Sequence, residues 1–387
     1  MHHHASFLVS SVLLSIASVR ANPAAPVTTP APNVANAVAP RADSCTFSGS
    51  LGYSSASVSK NACSTIVLSD LQVPGGETLD LEDLNDGTTV IFEGTTTFGY
   101  AEWEGSLFSV SGNKITVKGA EGSKLDGQGA LYWDGLGGGG GVTKPKFFKA
   151  NHLNDSVLDG ITILNAPKNS FSLNYVYNLT VTDITIDDRD GDVDMLGHNT
   201  DGFNINNADG VTILGATVYN QDDCVAINSG TNIYFGNGYC SGGHGLSIGS
   251  IGGQTTNVVT NVTFADSTVA KSQQSVRIKT VSGATGMVAD ITYKNIYIDG
   301  TGVDPDYSDY GIIVTQSYNG EEGEPTNGVT ISDFVLQNVT GTVGAEAVNV
   351  YIECGEGSCT DWSWSDVSVT GGVEASECYN VPDGISC

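Results

Sequence analysis

Residues 179–187 read LTVTDITID, residues 211–218 VTILGATV, residues 231–240 TNIYFGNGYC and residues 261–269 NVTFADSTV. Each is a short β-branched alternation broken by Asp, Asn or Gly, which favours a strand, a turn and a second strand. The theme recurs at 158–164, 291–299, 329–341 and 362–371, and shorter units stand at 89–94 and 114–119. Corresponding starts lie roughly 20 to 38 residues apart, a period typical of solenoids. One such unit cannot bury its own apolar face, so the units must stack. The pattern predicts an all-β, single-domain parallel β-helix. A β-sandwich is the competing reading, but hairpin turns joining equal strands are scarce.

Composition agrees. Gly is 49 of 387 residues, and charged residues are only 15% where about 25% is usual. The 40% apolar fraction supplies a sizeable core and excludes intrinsic disorder. Good helix runs are nearly absent. The formal charge of −28 leaves no basic face for nucleic acid and disfavours an anionic membrane. It also suits acidic conditions, where carboxylates protonate and self-repulsion falls.

The first residues carry an apolar stretch, ASFLVSSVLLSIASV (5–19), too short to span a bilayer comfortably. It reads as a secretory signal over residues 1–21, with His2 to His4 where Lys or Arg is usual. Residues 22–42 are rich in Ala, Pro, Val and Thr and end on Arg41 and Ala42, which reads as a propeptide. The catalytic domain is then 43–387, secreted and monomeric. GLGGGGG (135–141) reads as a surface loop, because it lacks the Lys-Ser/Thr and helix of a phosphate-binding loop.

Eight Cys is an even number, as a secreted chain should have. Four local disulfides are expected: Cys45 with Cys63, Cys224 with Cys240, Cys354 with Cys359, and Cys378 with Cys387. N-glycosylation sequons stand at Asn154, Asn178, Asn261 and Asn338.

Polar residues recur at the coil spacing. Asp201 and Asp222 are 21 residues apart, as are Asp223 and His244. Stacked coils would gather these three carboxylates, and at least one should then hold a proton. Gly243 and Gly245 flank His244, leaving its ring accessible. Arg277 and Lys279 are i, i+2 on a strand and share a face. As a pair they suit an anionic substrate, with the Arg bidentate to a carboxylate. An ion pair with the nearby acids is the alternative. Neither a metal ligand set, a cofactor motif nor a nucleotide motif is visible.

NTDG (199–202), QDDC (221–224), GHG (243–245) and RIK (277–279), in this order, resemble glycoside hydrolase family 28. The resemblance runs from about Ser44 to Cys387. It implies a right-handed β-helix and endo-acting, inverting hydrolysis of α-1,4-linked galacturonan, the backbone of de-esterified pectin. It also implies the roles. Asp222 would be the general acid, Asp201 and Asp223 the pair that activates water, and His244 the group that controls the acid. Arg277 and Lys279 would bind the galacturonate carboxylate. Tyr310, in SDYG, and Asn199 would contact or orient substrate, and Asn207 would line the cleft. An exo-acting enzyme, a rhamnogalacturonan hydrolase, a pectate lyase and a non-catalytic polysaccharide binder are the alternatives. One departure is Asn204, where many relatives carry Asp. It is expected to affect a subsite without touching the acid or the water-activating residues.

Overall fold

The computed structural model describes residues 41–301 and 309–387. The expected signal, and all of the expected propeptide except Arg41 and Ala42, lie outside the described residues. The folded body begins at Arg41, whose guanidinium donates to the Cys63 carbonyl and to Thr88 Oγ1.

The strands pair in parallel, coil upon coil. One file runs through Phe148, Phe171, Phe203, Val225, Leu246, Val276, Ile312 and Val350. All but Val350 are fully buried. Their neighbours alternate outward, as a pleated strand requires. Inside the coils the aromatic rings stack. Phe108, Phe148, Phe171 and Phe203 follow one another with centroids 4.6, 4.8 and 5.2 Å apart, close to the spacing of the coils themselves.

Corners repeat as well. Asp183, Asn237, Asp266, Asn295, Asn338 and Asp366 all adopt left-handed backbone at one corner, with Gly215 filling the same position. Asn, Asp and Gly tolerate that conformation best. Their side chains also bond across coils, as Asn295 does to Asp266 at 2.7 Å and Asn338 to Asn295 at 2.9 Å. The punctuation in the sequence is therefore a corner rule: a left-handed polar residue, an inward apolar residue, then an outward one.

That rule also produces sequons. Asn178, Asn261 and Asn338 are exposed corner residues, each followed by a buried Leu or Val and an outward Thr. Asn154 differs, because the Ser156 of its sequon is buried.

The four expected disulfides are all formed: Cys45 to Cys63, Cys224 to Cys240, Cys354 to Cys359, and Cys378 to Cys387. Stacking explains the first two. Cys45 and Cys63 lie on adjacent parallel strands, Ala42–Ser48 and Cys63–Val73. Cys224 precedes the strand Val225–Ile227, and Cys240 sits inside the strand Tyr239–Ser241 of the same stack, with both side chains in the core. The other two fasten the C-terminal end. Cys354 and Cys359 flank the turn after the strand Val348–Glu353. Cys378 and Cys387 close the last segment, which packs on the core through both of them.

Two features depart from the sequence reading. The coil from Asn295 to Asn338 takes 43 residues, longer than the expected period, because it carries the segment around 301–309 and the loop near 319–327. An 11-residue helix, Gly49–Ser59, also covers the N-terminal end of the stack. It has no helical signature, but Gly52 and Ala56 are small enough to pack against the first coil, and Leu71 leaves no room for a Cβ at Gly52. A solenoid end must be capped, and packing here overrides propensity.

Candidate active site

Three neighbouring coils supply the site from just before their strands: Asp201 before Phe203–Asn206, Asp222 and Asp223 before Val225–Ile227, and His244 before Leu246–Ile251. Extending the register Phe203↔Val225↔Leu246 aligns Asp201 with Asp223 and with His244. The equal spacing of Asp201 and Asp222 suggests that those two stack, but the coil is one residue longer. Asp222 instead sits beside the column, where Asn220 holds its backbone. The buried Asn220 carboxamide donates to the carbonyls of Thr200, Asp222 and Asp223 at 3.0, 2.9 and 3.1 Å.

Each carboxylate has its own partners. Asp201 accepts from Asn169 and from Asn204, both at 2.8 Å. Asp222 accepts from Asn199 Nδ2 at 2.8 Å and from the Asp223 N–H at 2.7 Å, and its Oδ1 lies 3.1 Å from His244 Nδ1. Asp223 accepts from the Ser247 hydroxyl at 2.6 Å and from Lys279 Nζ at 2.7 Å, with Arg277 farther off at 3.5 Å.

These contacts revise two expectations. Asn204 does touch a water-activating candidate, since Asp201 Oδ2 is its hydrogen-bond partner. An Asp there would place a fourth carboxylate against the trio. Lys279 is buried in an ion pair with Asp223, the alternative weighed for it from the sequence. Arg277 shares its face and keeps a buried Nε with no hydrogen-bond partner. Tyr310 begins the next strand, paired with Gln274, and its ring lies 5.4 Å from that of Tyr351. Asn207 turns the corner beyond Asn206 and takes Ser229 Oγ on its N–H.

The electrostatics follow from the contacts. Burial, then the charges of Asp222 and Asp223, push the Asp201 carboxyl well above the usual range. Burial acts the same way on Asp222, but His244, Lys279 and the Asp223 N–H outweigh it and hold that carboxyl well below the usual range. Clustering alone would raise the acid. The structure puts the raised group at Asp201, because Asp222 has the imidazole against it. Asp222, Asp223 and His244 could also converge on a cation, with ligand atoms within 4.8 Å of one another. Lys279 Nζ already sits 2.7 Å from Asp223 Oδ2, and its ammonium would repel such an ion.

The glycine loop has a place in this site that its sequence did not reveal. The Gly138 N–H donates to Asn199 Oδ1 at 2.8 Å, which aims the Asn199 amide at Asp222. Gly137 is left-handed (φ 61°), and a Cβ on it would lie 2.3 Å from Asn199 Oδ1. Asp134 ties the loop together, accepting from the N–H groups of Leu136 and Val142 and pairing with the buried Lys144 at 2.9 Å. Sequence reasoning also missed Asn169, Asn204, Asn220 and Ser247 as partners of the acids. NQDDC placed Asn220 next to the acids and Asn204 stood out three residues after Asp201, but nothing in the sequence marked Asn169 or Ser247.

The signature described as glycosyl hydrolases family 28 matches residues 63–387. The chain belongs to glycoside hydrolase family 28. As a family member it is a glycoside hydrolase on a parallel β-helix. It is 57% identical to endopolygalacturonase I of Aspergillus aculeatus over 387 residues, all of both chains. Endopolygalacturonase A of Aspergillus niger is 56% identical over 345 residues, 89% of this chain and 90% of that one. Among solved structures, endopolygalacturonase I from Stereum purpureum, complexed with two galacturonates, superposes with a TM-score of 0.75 at 38% identity. That match covers 85% of this chain and 95% of the other.

Proposed function

We propose that this family 28 hydrolase is a secreted, endo-acting polygalacturonase that cleaves α-1,4-galacturonosyl bonds of de-esterified pectin with inversion. The observation that carries the reading is the carboxylate trio with its asymmetric partners: one acid against an imidazole, one raised by burial, one locked by Lys279. The names of the relatives at 56–57% identity support the substrate.

In this reading Asp222 delivers the proton to the glycosidic oxygen. His244 Nδ1, 3.1 Å from Asp222 Oδ1, is placed to control that proton. A galacturonate carboxylate drawn to Arg277 and Lys279 brings negative charge to the trio and favours the protonated form of Asp222. As the bond breaks, Asn199 stabilises the carboxylate that Asp222 becomes. Asp201 and Asp223 orient and activate the water from the other side, the arrangement an inverting glycosidase needs. Lys279 pairs with Asp223 and holds its carboxylate in place, and Tyr310 contacts the sugar. Residues 1–21 serve as a secretion signal and 22–42 as a propeptide. The mature enzyme is a monomer.

The test is product analysis on polygalacturonate at about pH 4.5, with and without chelator. A fast viscosity drop with saturated oligomers, insensitive to chelator, is expected. Asp222→Asn should lower kcat by about 10²–10⁴-fold, the contribution of a general acid. Monomer alone would mean exo action, and unsaturated products would mean lyase chemistry.

A further inference from the structure

The outward residues of the site-bearing sheet form a single file: Lys149, Ser172, Asn204, Ala226, Ser247 and Arg277 are paired strand by strand. Arg277, near the trio, thus shares a row with a second cation, Lys149, five strands away. Asn204, which touches Asp201, lies two strands from Lys149, or about 10 Å at the usual strand spacing. A cavity of about 260 Å³ opens beside Lys149, lined by Glu104, Ser106, Lys146, Lys149, Ser172 and Asn174.

Four of the lysines, Lys144, Lys146, Lys149 and Lys168, fall within 25 residues of a chain carrying a net charge of −28. Lys144 is consumed by Asp134. Lys149 pairs with Glu82 at 3.0 Å, both about one-third exposed, and such a pair holds weakly. Glu104 is exposed, and its charge acts on Lys168 along with that of Lys146. Among the described residues Lys146 makes no ion pair, and Lys149 makes only the weak one to Glu82. An exposed, weakly paired ammonium beside a cavity on the substrate file suits a carboxylate that arrives from outside.

We propose that Lys146 and Lys149 form a remote subsite for the carboxylate of a uronosyl unit two to three sugars from the cleaved bond, on the N-terminal side of the cleft. This rests on the polygalacturonase reading, since a pyranose unit is about as long as one coil is tall and each galacturonate carries one carboxylate. Asn174 lines the same cavity and donates to the Ser172 hydroxyl at 2.9 Å, which fixes its amide beside the two lysines. The local positive charge also answers a difficulty, because an anionic enzyme repels an anionic polymer at long range. The subsite would act as a local anchor and make long chains better substrates than short ones.

The experiment compares purified parent enzyme with Lys146→Gln, Lys149→Gln and the double variant on galacturonate oligomers of three to six units. The readout is the ratio of kcat/KM for hexamer to that for trimer. Exposed ion pairs are worth up to about five-fold each, so the double variant should lose roughly five- to twenty-fold in this ratio. Added salt should lower the parent's ratio toward that of the variant. A hexamer methyl-esterified throughout should show no difference in binding between parent and variant. An unchanged ratio, or an equal loss on trimer and hexamer, would overturn the subsite. A parent that cleaves no galacturonate oligomer at all would instead overturn the polygalacturonase reading beneath it. Both side chains are solvent-accessible, so neither variant threatens folding.

Discussion

Gly137→Ala tests whether the glycine loop positions the acid. The new Cβ would stand 2.3 Å from Asn199 Oδ1, about an ångström inside ordinary contact, and Gly137 has φ 61°. The left-handed backbone costs an alanine about 1 kcal/mol or more. Asn199 must therefore move, and two hydrogen bonds break together: Gly138 N–H to Asn199, and Asn199 to Asp222. The second is made to a charged group and is worth about 1.5–3 kcal/mol. If it forms fully as Asp222 gives up its proton, kcat falls roughly 10- to 150-fold by the usual conversion of 1.36 kcal/mol per tenfold. Reducing ends released from polygalacturonate would be measured beside thermal unfolding. Asn199→Ala should show a similar loss, and the double variant should be no worse than Asn199→Ala, because both act through one bond. Gly139→Ala is the control, since its Cβ meets nothing within 4 Å. Additive losses in the double variant, or a Gly137→Ala enzyme within two-fold of the parent, would refute the reasoning.

Asn204→Asp should push Asp201 still higher, so the acidic limb of the kcat/KM profile moves to higher pH; an unmoved limb would separate Asn204 from the base. Stability should fall from about pH 4 toward neutrality. Asp201 and the fully buried Asp188 are both raised, chiefly by burial, so their contribution is complete below the unfolded value near 3.9 and is lost as pH rises through the folded values. Asp188→Asn should accordingly raise Tm at pH 7 to 8 and change it little at pH 4, as calorimetry would show. Among the four sequons, Asn154 should stay unmodified, because Ser156 is 2% exposed and spends its hydroxyl on the Asn154 carbonyl. Glycopeptide mass spectrometry on secreted protein would find glycans confined to Asn178, Asn261 and Asn338.

The solenoid could be read from the chain because its rules are local. A corner needs a left-handed residue, so Asn, Asp or Gly appears there in coil after coil, and the strand that follows must alternate. Asp183, Asn237 and Asp266 announce their coils without reference to anything distant. Near-neighbour cysteines such as Cys354 and Cys359 were legible for the same reason. The catalytic candidates were legible as types and order, since a coil period brings NTDG, QDDC and GHG onto one face. What the tertiary structure decided was everything that depends on register and burial. A one-residue difference in coil length sets Asp201 against Asp223. Lys279 serves Asp223, and Asn204 serves Asp201, because the fold brings these partners together through register and turn geometry. Gly138 reaches Asn199 across 61 positions of sequence. The placement of the raised pKa could not be read from a list of acids either. It depends on which carboxylate is driest and which one faces the imidazole, and those are distances through space that no spacing along the chain encodes.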